Sequence, residues 1–208
     1  MARTRGSDRG ASESAPAEPR RLRADARRNR ARVLDAAAET FANEGLSVSV
    51  HEIARRAGVG TGTVSRHFPT KDALFAAIVL DRIGRLIQHA ETLRATKKPG
   101  EAFFGFFAYM VAEGATNLGL GEAFVGAGFD VEAAASSVEN DLMGTLAAML
   151  ADAQRARAVR KDVDVADIKA LIEGCMARHR QATDTKARDR IVSVVCDGLQ
   201  PARRRRRT

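Results

Sequence analysis

The chain has 208 residues, enough for one ordinary domain or two small ones sharing a core. Hydrophobic residues make up 45% and aromatics only 5%; much of the apolar share is alanine, and alternating β-branched and aromatic runs are scarce, so the chain reads as almost all helix. The formal net charge is +8, yet residues 1–32 carry ten Arg against four acids and residues 203–207 are all Arg. The body between is slightly acidic, so overall charge is a weak argument for nucleic-acid binding and the case must rest on a site.

Other broad classes fall away early. Cys175 and Cys196 stand far apart without metal-ligand spacing, which implies a reducing compartment and no disulfide framework. No apolar run is long enough to cross a bilayer, and the Arg-rich N-terminus lacks the apolar segment of a signal peptide. The expectation is a cytoplasmic protein with no membrane contact, no metal and no cofactor.

Residues 1–22 read as a disordered basic arm of Gly, Ser, Ala, Pro, Glu and Arg, and residues 201–208 as a disordered Arg-rich tail. A first helix runs from about Ala24 to Asn43, with Val33, Leu34, Ala37, Ala38 and Phe41 spaced by three and four. Gly45 caps it. Ser49, with Glu52 three residues on, forms a capping box that opens a second helix burying Ile53, Ala54 and Ala57. Gly58 ends that helix, Val59 and Gly60 turn the chain, and a third helix covers about Thr61 to His67. Phe68-Pro69 stops it, because the residue before proline avoids the α region.

Thr70 can cap a fourth helix from Lys71 towards Leu93, and Lys98-Pro99-Gly100 is a break. Residues 101–116 are apolar on nearly every side, as a central helix is. The Gly-rich stretch 117–130 accommodates a short helix. Residues 131–157 form a long one, a further helix follows Asp164 to about Gln181, and a last covers about 185–199. The predicted fold is all-α: a three-helix helix-turn-helix domain over 23–71, with its motif at 49–68, and a helical bundle over 72–200 for dimerisation and ligand binding.

A short helix, a tight turn and a second short helix suit DNA recognition. The second helix must enter the major groove, so its outer face must be small and polar. Thr61, Thr63, Ser65, Arg66 and His67 meet that need, while Val64 and Phe68 turn inward. Arg66 can address guanine with two hydrogen bonds, and Gly60 and Gly62 permit close backbone approach. Ser49 and Arg55 complete the candidate DNA surface. Lys71 stands at a helix N-terminus, where dipole and cation both attract phosphate. Arg55 and Arg56 also fit ordinary solvated helix charges, and His67 also fits a packing residue beside Phe68.

The stretch from Ile53-Ala54-Arg55-Arg56-Ala57-Gly58 through Thr61-Gly62-Thr63-Val64-Ser65-Arg66-His67-Phe68-Pro69 to Lys71-Asp72-Ala73-Leu74 resembles the DNA-binding domain of the TetR family of bacterial repressors. Val33-Leu34-Asp35-Ala36-Ala37 and Phe41-Ala42-Asn43-Glu44-Gly45 fit the same pattern, and the likeness spans about residues 25–85. Ser65 stands where that pattern carries a tyrosine, so an aromatic phosphate contact does not carry over. The resemblance implies a homodimer through the last two long helices, a palindromic duplex operator and an unidentified small-molecule effector in the C-terminal domain.

For that effector the sequence offers Phe103, Phe107, Met110, Glu113, Asn117 and Met143, an apolar lining interrupted by polar groups. The same residues also read as plain core. Enzyme readings fare badly. His51, His67, His89 and His179 show no metal-ligand pairing, and no nucleophile elbow or phosphate-cradling glycine loop is present. The expected function is a repressor released from DNA by a ligand. The alternatives are a DNA-binding protein without effector, a transcriptional activator, and more distantly a helical-bundle enzyme with a DNA-binding head.

Overall fold

The computed structural model describes residues 18–181 and 185–201, and among these it forms eight α-helices and no strand. They are α1 (Glu18–Glu44), α2 (Val50–Ala57), α3 (Thr61–His67), α4 (Lys71–Thr96), α5 (Pro99–Gly126), α6 (Val131–Arg155), α7 (Val165–Gln181) and α8 (Thr185–Leu199). No helix among the described residues is long and apolar enough to cross a membrane.

Two cores organise these helices. The N-terminal head buries Val33, Leu34, Ala37, Ala38 and Phe41 from α1 against Ile53, Ala54 and Ala57 of α2 and Val64 of α3. The head core continues into α4 through Leu74, Phe75, Ala77 and Ile78, past the boundary expected at residue 71. The second core gathers Phe103, Phe106, Phe107 and Val111 of α5, Leu142, Leu146, Met149 and Leu150 of α6, and Ile168, Ile172 and Cys175 of α7. Helix α4 runs from one core to the other, adding Ile83, Leu86, Ile87, Ala90 and Leu93 to the second.

Two expectations need correction. Helix α1 starts at Glu18, so residues 18–22, assigned to the arm, are its first turns. The missing apolar periodicity misled: Arg and Ala are good helix formers without a core to face, and Pro19 is tolerated in a first turn. Residues 1–17 and 202–208 lie outside the described residues. The second correction concerns 117–130. Helix α5 does not stop near 116 but continues to Gly126. Each interior glycine costs a helix about 1 kcal/mol, but Leu120 and Phe124, four residues apart, are buried in the head core. That packing holds the glycine-rich turns in register.

The chain reversals follow the sequence more closely. Gly58 takes φ +64° and donates its N–H to the carbonyls of Ala54 and Arg55, a left-handed cap that favours glycine. Thr70 Oγ1 accepts from the Ala73 N–H at 3.0 Å and starts α4. Asp130 does the same for α6, accepting from the Ala133 N–H at 2.8 Å.

Candidate nucleic-acid interface

Helix α3 spans Thr61–His67 between the Gly60 turn and Phe68. Val64 and Phe68 are buried and fix the helix to the head. The opposite side holds Gly62, Ser65, Arg66 and His67, all exposed, flanked by half-buried Thr61 and Thr63. A Cβ placed on Gly62 would meet nothing within 4 Å, so nothing in the described protein crowds this face of α3 at that position. The His67 ring lies 6.1 Å from that of Phe68 and tilted by 47°, so it leans on its neighbour while staying open to solvent.

Helix α2 braces α3 through a charged network. Ser49 Oγ accepts from the Glu52 N–H at 3.3 Å, half of the expected capping box. Rather than turning back to Ser49, the Glu52 carboxylate accepts from Arg55 Nε at 2.8 Å and Arg56 Nε at 2.7 Å. Arg56 also donates to the Glu44 carboxylate at 3.0 Å and to Thr40 Oγ1 at 3.3 Å. Thr40 is the one buried polar residue among the described residues. Arg56 is thereby committed to tying α2 to α1. Arg55 has a single ion-pair partner and a side chain 71% exposed, which leaves it available to a phosphate.

The two guanidiniums lower the Glu52 pKa from its ordinary 4.5 to about 2, chiefly through the hydrogen bonds from Arg55 and then Arg56. A folded-state pKa below the unfolded one adds stability that is complete above the unfolded value and is lost as pH falls through the folded one. Urea unfolding of the protein and of Glu52→Gln is therefore expected to differ most above about pH 5. The gap should close as pH approaches 2, and a difference independent of pH would contradict this network.

Lys71 Nζ donates to the Leu46 carbonyl at 2.7 Å. An ammonium carries three donors, so this bond steers the side chain across the head and leaves donors for a phosphate. The sequence reading missed Arg30. Its guanidinium carbon stands 5.7 Å from the Phe68 ring centroid, within cation–π range. Arg32 lies close to the turn, with a guanidinium nitrogen 3.8 Å from a Cβ built on Gly58. Helix α1 therefore brings arginines to both the turn and the end of α3. The signal was the density of arginine in residues 20–32, which the expected arm boundary at 22 split in two.

In the second domain Phe103 and Phe107 are fully buried in the core. Met110, Glu113 and Met143 are half-buried, and the Asn117 side chain lies outside the described residues. Beside them, His89 of α4 stacks on Tyr109 of α5 with ring centroids 3.8 Å apart. Burial first, and the Glu113 carboxylate second, push the Tyr109 hydroxyl above its ordinary pKa, while Arg85 and Arg82 oppose the shift. Arg85 also pairs with Asp81 at 2.8 Å and with Asp35 of α1 at 2.6 Å. The seam between α4 and α5 is thus polar and reaches the head. A separate apolar cleft of about 630 Å³ opens between Gly121, Val125, Val131 and Met176.

Residues 33–78 match the family described as bacterial regulatory proteins of the tetR family, and residues 98–201 match the C-terminal domain of SbtR-like transcriptional regulators. The chain belongs to the TetR family. A TetR transcription regulatory protein from Mycobacterium vanbaalenii is 52% identical, with 86% of this chain covering 99% of that one at a TM-score of 0.74. A TetR regulator from Streptomyces coelicolor is 30% identical over 84% of this chain and 99% of that one, at a TM-score of 0.72. A curated HTH-type transcriptional regulator of Staphylococcus aureus is 32% identical over 74 residues, and the match spans 40% of its length. This TetR-family chain is therefore a DNA-binding transcriptional regulator, and the enzyme reading is set aside because both of its halves match regulators.

Proposed function

We propose that this regulator is a repressor that acts as a homodimer on a palindromic operator and leaves it when a small molecule binds the second domain. One observation carries the ligand response: Leu120 and Phe124 of α5 are part of the head core. Repacking of α5 would then be passed to α1 and α4, on which Phe124 packs through Phe41 and Phe75, and through α1 to α2 and α3. A ligand shifts such a two-state equilibrium only by its differential affinity for the two states, and a near-complete switch needs about 5 kcal/mol.

The effector seat we favour is the seam around Met110, Glu113, Asn117 and Met143, over a floor of Phe103 and Phe107. The half-buried Glu113 beside buried Phe103 and Phe107 suits a small-molecule site, which is mostly apolar with a few polar groups, and the neighbouring Arg85–Asp35 pair offers a path to the head. With a releasing compound in hand, Met110→Ala is expected to shift the half-release concentration while operator affinity stays unchanged. Equal response in the variant places the effector elsewhere.

The dimer reading rests on α8. Ile168, Ile172 and Leu199 are spent on the chain's own core. Val194 is 61% exposed, with half-buried Ile191 and Val195 beside it at helical spacing. Since α7 completes the second core, deleting both helices would confuse assembly with folding. Val194→Asp is the cleaner variant: a charge facing its own copy across a two-fold axis disfavours association. Light scattering should show a monomer with helical content intact. A persistent dimer rejects the α8 interface.

The whole reading is tested by selecting bound duplexes from a random pool with the full chain. The expected product is an inverted repeat with half-sites one helical turn, or a multiple, apart. A single unrepeated site overturns the two-fold dimer. A reporter switched on rather than silenced by the protein overturns repression.

A further inference from the structure

The inward stripe of α1 continues past the end of the core. Phe41, Ala37 and Leu34 are buried in the head, spaced by four and then three residues, which sets them on one face of the helix. The same steps lead on to Arg30 and Arg27. Arg30 is half-buried and Arg27 exposed, and Val33 is the first buried residue among the side chains described. The helix ahead of Val33 has therefore outrun the core. Residues 18–32 carry it about 22 Å further, at about 1.5 Å per residue.

The arginines of this stretch bracket α3. Arg30 lies 5.7 Å from the ring centroid of Phe68, which ends α3. Arg32 reaches the other side: its Nη1 is 3.8 Å from a Cβ built on Gly58, in the turn that leads into α3. Its Nη2 donates to Asn29 Oδ1 at 2.6 Å, which steers the side chain without neutralising it. The acids on this side are few. Asp25 is paired with Arg28, Asp35 with Arg85, and Glu52 with Arg55 and Arg56, the latter also holding Glu44. Asp72, in the first turn of α4, and Glu39, two turns further along α1, are exposed. Set against Arg27, Arg30, Arg32, Arg66 and Lys71, they leave this side of the head cationic. A helix in the major groove has phosphate strands about 12 Å apart on its two sides, so side chains bracketing α3 come within reach of them.

We propose that the part of α1 ahead of Val33 is a second DNA contact of each head, in which Arg27, Arg30 and Arg32 hold backbone phosphates flanking the segment that α3 reads. The proposal rests on α3 being the helix that enters the groove. Contacts to phosphate position a protein and carry no base information, so this one lengthens the footprint and adds affinity for any sequence. It is also salt-dependent, since each phosphate neutralised releases counterions. Arg28, engaged by Asp25, is not needed for it.

The test measures binding of the full chain to the duplex selected from the random pool, with hydroxyl-radical footprints of the complex. Arg27→Gln combined with Arg32→Gln, both exposed positions, should remove protection of the backbone flanking the α3 contact while the centre stays protected. Two phosphates lost from each head should lower the salt slope by about 1.8 per head. The advantage of the unaltered protein over this variant then shrinks about twelvefold per head between about 50 and 200 mM salt. Base preference across single-base operator changes should stay intact. Because Arg30 also covers Phe68, Arg30→Lys is compared with Arg30→Gln: the first keeps the cation and should keep the footprint that the second shortens. An unchanged footprint and slope in the double variant, or a base preference that it relaxes, overturns the proposal. A base preference that survives substitution of Arg66, Thr61 and Thr63 defeats the reading of α3 instead, whichever way the flanking protection responds.

Discussion

Replacing Phe124 with alanine is expected to disable the DNA-binding head from a position that lies on the second domain's central helix. Phe124 is 1% exposed. Its ring stacks on Phe75 with centroids 4.3 Å apart and meets Phe41 and Phe129 edge-on at 6.4 and 6.0 Å. Removing a buried Phe costs about 3–5 kcal/mol, because the cavity adds to the lost transfer energy, and aromatic pairs add about 0.5–1.5 kcal/mol beyond burial. Set against a typical total of about 5–15 kcal/mol, that loss removes a large share of the margin, and it leaves heads substantially disordered where the total lies near the lower end. Operator affinity should fall with stability, and Phe124→Leu should recover most of both.

Phe103→Ala supplies the control. It removes a ring of the same size from the second core, at a similar cost of about 3–5 kcal/mol. Its effect on operator binding by the folded fraction should be small, since Phe103 does not touch the head core. If Phe124→Ala lowers stability by the expected amount yet binds operator normally, the two cores are energetically separate. The proposed route from effector to α3 would then fail with it.

These aromatic contacts mark where the sequence was hard to read. Helix α3 was legible almost to the residue because its limits are set locally: Gly60 before it, Phe68-Pro69 after it, and one inward-facing Val64 between. The caps at Ser49, Gly58 and Thr70 are equally local. Phe124 was hidden for the opposite reason. Gly119, Gly121 and Gly126 argue for a broken helix, and only a long-range contact with Phe41 and Phe75 reveals that the break does not occur. Arg56 illustrates the same limit in the candidate site. Its sequence neighbour Arg55 has the same chemistry, but the 100° step of the helix sends one to solvent and the other to Glu44, twelve residues upstream. Periodicity finds faces; which face meets which partner is settled by packing.

Arg66 and Lys71 are expected to fail differently when each is replaced by alanine. Arg66 is the one long bidentate donor on α3 and is exposed. If it reads a base edge, Arg66→Ala costs about 1–3 kcal/mol per half-site and relaxes preference at one symmetric base-pair position. Over two half-sites the loss reaches about 2–6 kcal/mol, enough to erase much of the margin between specific and non-specific binding. Lys71 is aimed across the head by its bond to the Leu46 carbonyl and meets the duplex, on this reading, through phosphate. Lys71→Ala should weaken all sequences alike and reduce the salt slope by about one per half-site. The competing arrangement has Arg66 on phosphate and Thr61 and Thr63 at the bases. Both threonines are half-buried and short, so they reach a base edge only if α3 sits deep in the groove. Exposed Gly60 and Gly62 would allow that approach. Affinities of both variants across a panel of single-base operator changes decide between the two. A uniform loss for Arg66→Ala, with preference intact at every position, assigns Arg66 to the backbone and base reading to the threonines.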